Sequence, residues 1–83
     1  PTTVDLDGKQ VLAVHLVNGV WELLVEGGVW IFYCDTPGVT FRLPQLRPEV
    51  TVTRVLPTGE AQRERQTQPL TYPSGVAMLR VTN

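Results

Sequence analysis

Apolar residues crowd the stretch from Val11 to Cys34 and are interrupted at Asn18-Gly19 and Gly27-Gly28. Asn-Gly between two apolar runs is a strong hairpin signal, because both residues tolerate the positive φ of a type I′ turn. A two-residue loop there pairs Val17 with Val20, Leu16 with Trp21, His15 with Glu22 and Val14 with Leu23. Side chains alternate along a strand, and opposed residues share a face. One row therefore holds Leu12, Val14, Leu16, Trp21, Leu23 and Val25. If Gly27-Gly28 forms a second turn, Trp30, Phe32 and Cys34 extend that row. The other row holds Val11, Ala13, His15, Val17, Val20, Glu22, Leu24, Ile31 and Tyr33, with His15 and Glu22 as its only ionisable members. An antiparallel sheet with one wet side alternates apolar with polar. This meander is apolar on both sides, so both sides call for cover.

The remaining pattern adds short strands separated by turns. Thr2 to Leu6 reads as a first strand, with Asp7-Gly8 turning into Lys9 and the long strand that ends at Val17. Strands at Val20–Val25 and Val29–Cys34 follow. Asp35-Thr36-Pro37-Gly38 is a turn. Val39 to Leu43 alternates, with Val39, Phe41 and Leu43 opposite Thr40 and Arg42. Pro44 and Pro48 bracket an irregular crossing. Glu49 to Leu56 is rich in Val and Thr and reads as strand. Ala61 to Thr67 is almost wholly polar, as suits a solvated edge strand whose charges discourage pairing with other chains. Gln68 to Gly75 reads as loop. Val76 to Thr82 closes the chain as a strand, with Ala77, Leu79 and Val81 opposite Val76, Met78 and Arg80. The sum is an all-β chain: a small antiparallel β-sandwich or barrel of about seven to eight short strands, built on the central meander.

Composition narrows the class. The 83 residues fit a single domain, 1–83, and 42% hydrophobic with 18% charged residues is a globular balance. Seven basic and eight acidic residues give a net charge of −1, which offers no electrostatic footprint for nucleic acid or for an anionic membrane surface. No apolar run reaches the roughly 20 residues of a membrane helix. Cys34 is the only cysteine, so no internal disulfide forms, and its place in an apolar strand suits a small buried hydrophobe. A reducing cytoplasm, or a virion assembled there, is the default compartment. Secretion stays open if a signal peptide or a parent chain lies outside the sequence.

Candidate chemistry is sparse. His15 opposite Glu22 forms a cross-strand pair, but an acid/base site also needs a nucleophile and an orienting group. Two ligands fall short of the three or four a metal site requires. Asp5 and Asp7 with Gly8 lack the spacing and closing glutamate of a calcium loop. Gly27-Gly28 lacks the strand-to-helix context and lysine of a phosphate loop. Ser74, the only serine, lies in a Pro-Ser-Gly turn. No catalytic residue, metal ligand or cofactor site is therefore expected. Among the aromatics, Trp21 and Trp30 are expected in the core, and Tyr33 and Tyr72 are expected to be the exposed rings.

These readings favour a non-catalytic assembly module that self-associates or joins a larger protein assembly, as small phage decoration, tail or head–tail joining proteins do. Its interface candidates are the row Val11, Ala13, His15, Val17, Val20, Glu22, Leu24, Ile31 and Tyr33. A second expectation is a carbohydrate-associated accessory domain. The run Val11-Leu12-Ala13-Val14-His15-Leu16-Val17-Asn18 resembles strands in the β-sandwich domains that end many glycoside hydrolases. That resemblance implies a helper domain within a longer chain and carbohydrate as partner. A third is a small oligomeric enzyme whose site is shared between subunits, drawing on His15, Glu22, Tyr33 and Arg42.

Overall fold

A computed structural model describes residues 8–17, 19–34 and 38–83. The side chains of Val17, Phe32, Tyr33 and Cys34 lie outside that description, as does the expected strand at Thr2 to Leu6. The chain is all-β. Its strands are β1 (Val11–Val17), β2 (Val20–Val25), β3 (Gly28–Cys34), β4 (Thr40–Phe41), β5 (Glu49–Val55), β6 (Ala61–Thr67), β7 (Leu70–Thr71) and β8 (Met78–Thr82). Six of them form one antiparallel sheet in the order β1-β2-β3-β8-β5-β6, and β4 pairs with β7 in a separate two-stranded ribbon.

The first hairpin has the register its turn dictates. Val17 pairs with Val20, Leu16 with Trp21, His15 with Glu22 and Val14 with Leu23. Two residues therefore separate the strands, and Gly19 takes φ 78°. The second turn differs from expectation. Val25 pairs with Gly28, so the loop is Glu26-Gly27 and Gly28 belongs to β3. Gly27 supplies the positive φ, 84°. Gly28 is needed for another reason: a Cβ there would lie 2.8 Å from Thr82 Cγ2 and 2.9 Å from the Val81 carbonyl oxygen.

Two bulges then change which residues share a row. Register slips between Val11 and Ala13, so Leu12 is extra and Val11 lies opposite Val25. It slips again between Trp21 and Glu22, so Trp21 faces Tyr33 and Glu22 faces Ile31, leaving Phe32 extra. An extra residue reverses the alternation beyond it. Val11 and Tyr33 thus pair away from the row in which simple alternation places them.

The core lies between one face of the large sheet and the β4–β7 ribbon with its loops. Val20, Val29, Ile31, Val50, Val52, Leu79 and Val81 come from the sheet, and Phe41, Leu43, Leu70 and Tyr72 from the covering segments. Leu24, Val39, Leu46 and Val76 pack around them. The Val39-Phe41-Leu43 and Leu79-Val81 alternations read from sequence account for five of these positions. The cover is held down by Gln68, whose side chain is buried. Its Oε1 accepts from the Leu43 N–H at 2.6 Å, and its Nε2 donates to the carbonyls of Leu43 at 3.1 Å and Arg47 at 2.8 Å. The Gln68 N–H donates to the Pro48 carbonyl at 2.8 Å. One amide thus satisfies groups on both sides of the irregular crossing, which has no sheet ladder to satisfy them.

Candidate interaction surface

The face expected to meet a partner is the one that the chain covers itself. Val20 and Ile31 are 0% exposed, and Glu22 is 5% exposed. Leu24 and Ala13 are partly buried, and His15 is exposed at the margin. Of the nine interface candidates, Val11 stands apart, because the bulge places it opposite Val25 and leaves it at the surface. Sequence reasoning chose as interface a row that the chain largely buries itself, for a simple reason. Both rows are apolar, and alternation alone does not say which one the later strands cover.

The open surface is one part of the opposite row, in which Val25 and Trp30 are themselves buried. Leu12, Val14, Leu16 and Trp21 are 62%, 55%, 57% and 46% exposed. Leu23 is partly buried between them and Trp30. With Val11, 37% exposed, these side chains form a group of exposed large apolar residues on β1 and the start of β2. The patch is a property of β1 and β2, the strands at one end of the sheet order among the described residues.

Further along the same face the chemistry changes. Trp30 lies opposite Leu23 on one side and Arg80 on the other. The Arg80 guanidinium sits 5.5 Å from the Trp30 ring centroid, and Trp30 is buried. This stacking lets a cation cover an aromatic ring at the boundary between apolar and polar halves. Beyond it, Thr51, Thr53, Arg63, Arg80 and Thr82 line an open groove of about 280 Å³. Arg65 bridges to Glu49 at 2.9 Å and donates to the Thr51 hydroxyl at 2.8 Å. On the inner side Arg54 pairs with Glu64 at 2.9 Å. Strand β6 is thus a charged edge, as its sequence suggests, whereas β1 carries only His15 among its ionisable side chains.

The two expected exposed rings fare differently. Tyr72 is buried in the core, a correction to the sequence reading, because the Gln68 to Gly75 loop contains β7 and turns Tyr72 inward. Tyr33 has its side chain outside the description. Of the tryptophans, Trp30 is buried as expected, while Trp21 is at the surface. The Trp21 position was legible only once the covered face was known, since it shares a row with Leu16 and Leu23.

His15 and Glu22 do face each other. His15 Nδ1 lies 4.0 Å from Glu22 Oε1, with the carboxylate buried and the imidazole half exposed. Burial pushes the Glu22 carboxyl above its usual 4.5, and the imidazole draws it part of the way back. Among the described residues no three His, Cys, Asp or Glu side chains gather as metal ligands. A cavity of about 70 Å³ beneath Val52, Arg54, Leu70 and Leu79 is far smaller than the roughly 300 Å³ at which small-molecule sites begin. No helix among the described residues is long and apolar enough to cross a membrane. Comparison with protein-family models, curated proteins and solved structures found no match to this chain.

Proposed function

We propose that the chain is a non-catalytic assembly module that packs against protein through the outer face of β1 and β2. The observation that carries this reading is the exposure of Leu12, Val14, Leu16 and Trp21 together on β1 and β2, while the core residues of the same chain are buried. Each of these side chains would gain about 1–2 kcal/mol on full burial, a strong drive toward an apolar partner. A setting such as a virion, where many small chains pack side by side, suits a module of this kind. The carbohydrate reading is served less well, because Trp30 is buried and covered by Arg80.

Hydroxyl-radical footprinting tests the reading. Leu16 and Trp21 should oxidise readily in the dilute purified chain and be protected in material gently isolated from its native source. Equal oxidation in both samples would overturn it.

A further inference from the structure

We propose that the groove beside Trp30 binds one phosphate monoester group of a small ligand, clamped between Arg63 and Arg80 above the hydroxyls of Thr51, Thr53 and Thr82. This goes beyond the assembly reading, because none of these residues belongs to the apolar group on β1 and β2. Strand register builds the groove. Thr53 pairs with Arg63 of β6 on one side and with Arg80 of β8 on the other, and Thr51 pairs with Thr82. Opposed residues share a face, and Val52, Leu79 and Val81 face the core, so these five side chains rise from the other face. Neighbouring strands lie about 4.8 Å apart, which sets the bases of the two arginines about 10 Å apart with a threonine between them. Short branched side chains between two long ones leave a trough, whose volume is about 280 Å³.

The lining selects an anion. Two guanidiniums and three hydroxyls line the trough, and no carboxylate does. The acids of β5 and β6 are engaged elsewhere: Glu49 holds Arg65 at 2.9 Å, and Glu64 holds Arg54 at 2.9 Å on the inner side. Among the described residues no acid pairs with Arg63. Arg80 is set in place by the Trp30 ring, 5.5 Å from its guanidinium. Stacking uses the face of a guanidinium, whereas its five N–H donors lie along the edge. A phosphate group carries oxygens in more than one plane, so it accepts from both walls and from the floor together, through bonds of about 2.8 Å. A planar carboxylate meets one guanidinium fork at a time. Two cations also match the double negative charge of a phosphate monoester. Arg54 and Arg65 already hold carboxylates and the net charge of the chain is −1, so the pair is not part of a basic stripe. A polymer backbone needs such a stripe, and a single phosphate group does not.

Nuclear magnetic resonance on the ¹⁵N-labelled full chain tests the proposal, with phenyl phosphate as the probe and sodium chloride of matched ionic strength as the reference. The amide signals of Thr53, Arg63, Arg80 and Thr82 should move saturably, and those of Leu16 and Trp21 should stay in place. Arg63→Gln, on an exposed strand, should weaken binding about tenfold, the loss of one charge-assisted contact. Thr53→Val, which keeps the shape of the floor and removes a hydroxyl, should weaken it about threefold. Arg47→Gln changes the net charge equally outside the groove and should leave the affinity unaltered. Shifts that follow chloride alone overturn the proposal, as does an affinity that Arg63→Gln leaves unchanged. Equal saturation by benzoate overturns the choice of phosphate. Tighter binding of a single-stranded oligonucleotide than of phenyl phosphate overturns the single-group reading and assigns the groove to a polymer backbone.

Discussion

At the scale of single residues, Glu22 and Gln68 are the polar groups that the core keeps. Glu22 is buried, with a half-exposed imidazole as its neighbour, so its protonated form is favoured by folding. A carboxyl raised above its unfolded value stabilises the fold fully below about 4.5, and that contribution is lost as pH rises through the raised value. Glu22→Gln should therefore be more stable than the parent at pH 7 and no more stable at pH 4, as urea unfolding at the two pH values would show. Gln68 acts in the opposite sense, because its removal strands backbone groups. Gln68→Ala leaves the Leu43 N–H and the Leu43 and Arg47 carbonyls without their partner. The expected cost is about 2–3 kcal/mol in denaturant unfolding, from buried groups left unpaired.

At the scale of elements, the joints between strands matter more than strand propensity. Gly28 lies where β3 meets the end of β8, and any Cβ there would press on the Val81 carbonyl and the Thr82 methyl. Gly28→Ala should cost about 1–3 kcal/mol, measured as a fall in the urea midpoint with an unchanged slope. The two ends of the large sheet also differ in a way that composition dictates. Strand β6 places Gln62, Arg63, Glu64, Arg65 and Gln66 at its edge, whereas β1 places Val14 and Leu16 at the other. The charged β6 end resists added strands.

At the scale of the whole molecule, the described segments cover only part of the apolar meander. The β4–β7 ribbon and its loops cover one side of the large sheet, and at the β1–β2 end the other side keeps Leu12, Val14, Leu16 and Trp21 at the surface. Exposed side chains contribute little to folding of the isolated chain. Val14→Lys should therefore change unfolding stability by less than about 0.5 kcal/mol. The same substitution should raise solubility and abolish association, read by light scattering across a concentration series. A large loss of stability in Val14→Lys would mean that this side is covered within the chain itself.

How much of this was written in the amino-acid order differs from feature to feature. The all-β class, the Val17–Val20 register and the polar edge at β6 follow from local rules: a two-residue loop sets its own pairing, and an almost wholly polar strand has no apolar side chain to bury. The alternations at Val39-Phe41-Leu43 and Leu79-Val81 likewise announced their buried members. The bulges at Leu12 and Phe32 left no signal, because an extra apolar residue in an apolar run looks like its neighbours. Which side of the meander is covered was equally hidden, since Val20 and Ile31 on one side and Leu16 and Trp21 on the other are alike in hydrophobicity. Only the tertiary structure chose between them, by where the chain after β3 returns: its ribbon lies over the row of Val20 and Ile31, and Leu16 and Trp21 stay at the surface.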